Sequence, residues 1–184
     1  MNLSIARAEI ARYYGNALGH VTVFQHGGPF SLAEVKRISK KSPAVAIVCL
    51  RLPGTESSGH DILSEVSFGA FCFSNNRKKI LRDVEALDLS ERVLVHLNRN
   101  RWPDKDGTDS ASGPPREISA ANLYSTALDE LGVALWAVSW KQRVTLDRDE
   151  TTTTLEDFET LYSTYDLDEE VDAEDLTDVT ELDT

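Results

Sequence analysis

The sequence predicts an α+β fold: a single mixed, mostly antiparallel sheet of about four strands packed with helices. Three observations predict it. DILSEVSFGAFCF (61–73) and LWAVSWKQRVTL (135–146) alternate over more residues than the ~5–6 of an ordinary strand. AVAIVCL (44–50) is apolar on both faces, as a strand covered on each side must be. The segments between these runs carry apolar residues near helical spacing.

In chain order, residues 3–18 read as a helix, with Ser4 as a possible cap, apolar Ile5, Ala8, Ile10, Ala11, Tyr14 and Leu18, and Gly19 as its stop. VTVFQ (21–25) is a short strand ended by the turn composition HGGPF. SLAEVKRISKK (31–41) is helical, with Ser31 and Glu34 forming a capping box and Leu32, Val35 and Ile38 a narrow apolar stripe. After 44–50, RLPGTESSG reads as a loop and 61–73 as a long strand with Ile62, Ser64, Val66, Phe68, Ala70 and Cys72 on one face. Residues 75–100 read as a long helix or a helix pair, with Ile80, Leu81, Val84, Leu87, Val93, Leu94 and Leu97 apolar. WPDKDGTDSASGPPRE (102–117) is a loop by composition, and 118–132 a helix with Gly132 at its C-terminal cap. The final strand, 135–146, is dry on its even face (Trp136, Val138, Trp140, Gln142, Val144, Leu146). Its odd face turns basic at Lys141 and Arg143.

Charge divides the chain into a body, 1–149, and an acidic extension, 150–184. The net charge is −12, yet no Lys or Arg follows Arg148, and residues 151–184 hold 13 acids. Residues 1–150 therefore carry 19 basic and 31 − 13 = 18 acidic groups, a net of +1. In the extension, Leu155, Phe158, Leu161, Tyr162 and Tyr165 recur at helical spacing behind a Thr153/Glu156 capping box. It reads either as a disordered tail or as a partly helical docking arm.

Cys49 and Cys72 sit in apolar strand runs and read as small buried hydrophobes of a reducing cytosol. The N-terminus lacks a signal peptide's apolar core, and no run approaches the ~18 apolar residues of a membrane span, so a soluble, intracellular chain without membrane contact is expected. His20, His26, His60 and His96 show no zinc spacing, and no Walker loop, nucleophile elbow or dinucleotide fingerprint occurs. No catalytic, cofactor or metal residues are expected, and the chain is not expected to be an enzyme. Two basic stretches, with Arg77, Lys78, Lys79 and Arg82 and with Arg99, Arg101 and Trp102, read as solvated faces or as partners for another subunit's acids rather than a nucleic-acid site, because a body of net +1 attracts DNA weakly. Trp102, in a long loop, is expected as an exposed interface anchor.

The run ANLYSTALDELGVALWAVSWKQRVTL (121–146) resembles the tail terminators of tailed bacteriophages, in particular the family of Mu-like phages and prophages. Asn122, Leu123, Tyr124, Leu128, Gly132, Leu135, Trp136, Trp140 and Gln142 carry the likeness, which outside this run is one of pattern over 1–148. The resemblance implies a virion structural subunit that forms a hexameric ring on the head-proximal end of the tail tube, after assembly in the host cytoplasm. Its partners would be itself, the tail tube protein and a neck or head-completion protein, with DNA passing through the lumen without specific binding. The alternatives are another neck or head-completion ring, or an adaptor that binds a basic partner through its acidic arm. The expected contact residues are Lys141, Arg143 and Trp102, with Phe158, Leu161, Tyr162 and Tyr165 on the arm.

Overall fold

The computed structural model describes residues 3–52, 54–58, 61–76 and 81–146. Its elements are α1 (Leu3–Ala17), β1 (Thr22–His26), α2 (Leu32–Ser39), β2 (Ala44–Arg51), β3 (Thr55–Ser58), β4 (Asp61–Asn75), α3 (Arg82–Leu97), β5 (Arg116–Asn122), α4 (Thr126–Glu130) and β6 (Val133–Leu146). Among the described residues the strands form one mixed, six-stranded sheet ordered β1–β2–β4–β6–β5, with β3 paired to β4. Only β1 and β2 run parallel. β4 and β6 pair from Ile62↔Leu146 to Asn75↔Val133 and form the spine of the fold.

The α+β class is as expected, but the sheet has six strands rather than about four. β3 lies in the stretch expected as a loop and pairs with the first residues of β4. β5 replaces the first half of the helix expected over 118–132. REISAAN has no strand alternation, and every one of its residues is exposed, so pairing with β6 decides its conformation rather than propensity. Only Thr126–Glu130 is helical; the Ser125 hydroxyl accepts from Leu128 N, and Gly132 at φ +67° turns the chain into β6.

Each face of the sheet has its own core. On one face, Ala6, Ile10 and Tyr14 of α1 and Leu89, Val93 and Leu97 of α3 pack on Val45, Ile47, Val66, Phe68, Ala70, Cys72, Val138, Trp140 and Val144. Tyr14 Oη donates to the carbonyl of Val93 at 2.9 Å, and burial pushes its phenol pKa upward. Cys72 is a free, buried thiol whose pKa burial pushes up to about 12; Cys49 is free and half-buried. On the opposite face, Val35 and Ile38 of α2 and Leu128 of α4 cover Ala44, Ala46, Phe73, Val133 and Leu135.

Three helices leave apolar residues at helical spacing exposed. α3 turns Ala86, Leu89, Ser90, Val93 and Leu97 inward, leaving the expected core residues Leu81, Val84 and Leu87 exposed. Ile5 of α1 and Leu32 of α2 are likewise exposed.

The capping box of α2 is present as expected. Ser31 Oγ accepts from Glu34 N at 3.2 Å, and Glu34 Oε2 accepts from Ser31 N at 2.9 Å. Ser31→Ala is expected to cost about 1 kcal/mol, read as a lower urea midpoint at unchanged m-value. The Ser31 backbone N–H, more than any other group, holds the Glu34 carboxyl below its ordinary pKa. A depressed carboxylate stabilises the fold above its unfolded pKa and loses that contribution as pH falls through the folded value. Glu34→Gln should therefore lose stability at neutral pH and match the parent in acid; a gap that persists in acid would exclude this origin.

Candidate assembly surface

The even face of β6 is buried at Val138, Trp140, Gln142 and Val144, and Gln142 is the only amide there among the described residues. Its carboxamide is fully used. Oε1 accepts from Trp102 Nε1 at 2.6 Å and Trp140 Nε1 at 3.2 Å, while Nε2 donates to the carbonyls of Asn100 and Gly113 at 2.9 Å each. Gln142 thereby ties the 98–115 segment onto the sheet.

That segment is locally ordered. Ser110 N and Ala111 N donate to the carbonyls of Trp102 and Arg101, Pro103 bridges Asp109, and Asp104 Oδ1 accepts from Asp106 N and Thr108 N. Trp102 is 1 % exposed, so the expectation of an exposed anchor is overturned. Its ring lies 5.4 Å from those of Tyr13 and Tyr14 and 6.0 Å from that of Trp140. Its backbone takes φ +56°, an uncommon conformation for an aromatic residue, held by the N–H bond to Asn100 Oδ1 at 2.9 Å.

Lys141 and Arg143 lie on the opposite, odd face and reach solvent, but each has an acidic partner. Lys141 Nζ is 2.6 Å from Glu117 of β5, and Arg143 is 4.0 Å from Glu56 of β3. Donation to the Glu117 carboxylate raises the Lys141 pKa. Both residues belong to the far half of β6. Its edges are taken within the chain, by β4 on one side and on the other by β5 and by Ser112, whose N–H donates to the Arg143 carbonyl at 2.9 Å. Among the described strands, β5 is the outer strand on this side of the sheet.

Between the charged end and the α2–α4 cover, the odd face holds an open apolar groove of about 540 Å³. Leu32 and Val35 of α2, Leu50 and Phe71 of the sheet, and Leu123 and Leu128 beside β6 line it. Gly69 permits the close approach of the Leu50 side chain: a Cβ there would stand 3.0 Å from Leu50 Cδ1. Leu32, Leu50 and Leu123 are exposed, and Tyr124, next in sequence, is 71 % exposed.

The remaining candidates are placed as follows. Phe158, Leu161, Tyr162 and Tyr165 lie outside the described residues, as do Arg77, Lys78, Lys79 and His60. Arg82 pairs with Asp129, joining α3 to α4. His26 stacks on Phe30 with centroids 4.2 Å apart, and His96 Nδ1 is 3.3 Å from Tyr13 Oη. No three metal-type side chains cluster among the described residues. No described helix is long and apolar enough to cross a membrane.

No family model matches the chain, and no curated protein matches it significantly. The residues of the tail-terminator resemblance divide by position. Trp140 and Gln142 build the core and Leu128 and Leu135 the second cluster, whereas exposed Leu123 lines the groove and exposed Tyr124 a separate pocket with Arg82 and Asp129. Sequence reading missed Gln142 as the organiser of the long loop; the signal available was a lone amide on an otherwise apolar face.

Proposed function

We propose that the chain is a virion structural subunit that assembles with copies of itself into a ring capping the head-proximal end of a phage tail tube. The ring ends tube polymerisation and offers the surface to which a neck or head-completion protein joins. One observation carries the reading. The odd face of the sheet keeps an open apolar groove lined in part by exposed Leu32, Leu50 and Leu123, an uncovered apolar surface of the kind that marks protein contacts. The resemblance of residues 121–146 supplies the kind of assembly, and three of its residues, Leu123, Leu128 and Leu135, line that groove.

A closed ring requires two different patches per subunit that meet head to tail. The groove is one, and the charged end with Lys141, Arg143, Glu117 and Glu56 is the other. The double charge reversal Lys141→Glu with Arg143→Glu should weaken self-assembly and leave the thermal midpoint of the subunit nearly unchanged, since exposed ion pairs contribute only ~0–1 kcal/mol. Light scattering on parent and variant reads both the mass and its loss; full assembly of the variant would remove this end from the interface.

The decisive experiment is electron microscopy of particles produced without this chain. Overlong tails and unjoined heads are expected. Normal tails with joined heads would exclude the terminator role, and a protein that stays monomeric at high concentration and on tails would exclude the ring.

A further inference from the structure

We propose that the two outer strands of the sheet join in assembly: β5 of one copy pairs antiparallel with β1 of the next, with Ala120 opposite Gln25 and Asn122 opposite Val23. This rests on the self-assembly reading above and names the backbone contact that would link the copies.

The free backbone groups of the two strands match. β1 and β5 stand at opposite ends of the strand order, and among the described strands each pairs on one side only. Leu123 N donates to the Leu135 carbonyl. Bonding alternates along an antiparallel ladder, so Ser119 and Ala121 also bond to β6, and Ala120 and Asn122 point their N–H and C=O away from it. On β1, Thr22 N donates to the Pro43 carbonyl. Thr22, Phe24 and His26 therefore bond to β2, while Val23 and Gln25 point outward. Nothing among the described residues hydrogen-bonds these outward groups. Each edge thus offers two bonding residues with one residue between them. Open edges are commonly blunted by Pro or Lys; Thr22–His26 and Ser119–Asn122 hold neither.

Direction and face agree as well. β1 runs parallel to β2, and β4, β6 and β5 each reverse the strand before them in the sheet, so β5 runs opposite to β1. Copies related by rotation therefore meet antiparallel at these edges. Ala120 and Asn122 lie across from Val138 and Trp136, on the face of the larger core, and Val23 packs against that core. Gln25, two residues on, shares its face. Ala121 and Phe24, opposite each other in this register, both lie on the other face. Continuing the register brings Gly27 and Gly28, which wall the groove, to the level of Ile118 and of Glu117 in the charged end. The pairing thus joins the two patches assigned to the ring, whereas a two-fold β5–β5 contact would leave β1 and the wall of the groove outside the interface.

The test uses the full chain carrying both Gln25→Cys and Ala120→Cys. Residues opposite each other in a bonded antiparallel pair have Cα atoms about 5.5 Å apart, within disulfide range. Inside one subunit the two positions are separated by the four strand spacings from β1 to β5, about 19 Å, so a bridge between them forms only between copies. After oxidation, mass spectrometry should find a 25–120 disulfide, and a denaturing gel without reductant should show a ladder of multimers. Ala120→Pro in the otherwise unchanged chain removes one outward N–H and leaves the bonds to β6 in place. It should melt as the parent does and lose assembled mass in light scattering. A 120–120 disulfide in place of the 25–120 one, no disulfide, or undiminished assembly of the Ala120→Pro protein would overturn the proposal. Light scattering on the parent separates the two readings. An assembly without the 25–120 bridge overturns the edge contact alone, and a monomer overturns the assembly reading as well.

Discussion

Trp102→Ala is expected to be the most destabilising single substitution in the loop between α3 and β5, costing about 3–5 kcal/mol. The residue is 1 % exposed, packs against Tyr13, Tyr14 and Trp140, and donates its indole N–H to Gln142. Truncation opens a cavity between the α1–α3 layer and the far half of β6, and neighbouring rings cannot close it because each is held by its own contacts. Against a total stability of ~5–15 kcal/mol, this is about a fifth or more of what holds a domain folded. Thermal melting should show a fall of roughly 10 °C or more. A Trp102→Ala protein that melts within a degree or two of the parent would mean that the side chain is not in the core. The result separates a structural role from the interface role its loop position implies, because an interface anchor would change assembly and leave the melting of the subunit alone.

Gln142→Leu is the second large effect. The substitution nearly conserves volume and adds apolar character to an apolar face, so packing alone predicts little change. Hydrogen bonding predicts the opposite. Two indole N–H groups and two carbonyls, of Asn100 and Gly113, lose their partner at once. Each buried orphan costs about 1–3 kcal/mol, and some recover a water, so a net loss of about 3 kcal/mol is expected from chemical unfolding. Gln142→Glu tests the same site by pH. Burial raises a carboxyl's pKa, and a raised pKa stabilises the fold below the unfolded value and loses that contribution as pH rises through the folded one. The Glu variant should therefore be closest to the parent in mild acid and weakest at neutral pH. A flat difference across that range would contradict a dry environment at this position.

The elements legible in the sequence are those whose side chains record their surroundings. β2 is apolar on both faces because it is covered on both, and β4 and β6 alternate because one face is buried along most of its length. α2 announces itself through the Ser31–Glu34 box. β3 and β5 were missed for the complementary reason: TESS and REISAAN take their conformation from the strands they pair with and bury too little to show a period. The inward face of α3 was misread because Ala86 and Ser90, small enough to sit against the sheet, carry less hydrophobic weight than the exposed Leu81, Val84 and Leu87. At the candidate surface, the solvent-facing position of Lys141 and Arg143 followed from alternation along β6. Their partners Glu117 and Glu56 did not, since both belong to the two strands that were missed. The burial of Trp102 depends on a residue 40 positions further on, which no local pattern encodes. The groove has no signature of its own in the sequence, because it is an absence of cover over apolar residues that look like core.

The position of β6 in the sheet also orders events during synthesis. β6 is the last described strand to leave the ribosome, yet it lies between β4 and β5 and supplies Trp140 and Gln142 to the centre of the larger core. Until Leu146 is available, β4 presents a long, apolar, unpaired edge, β5 has no strand to join, and the 98–115 segment lacks the amide that fastens it. Contacts of such large sequence separation make folding slow and expose sticky intermediates. The nascent chain is thus at its most vulnerable just before its last described strand arrives, and a holding chaperone or rapid release at that moment should govern how much protein folds.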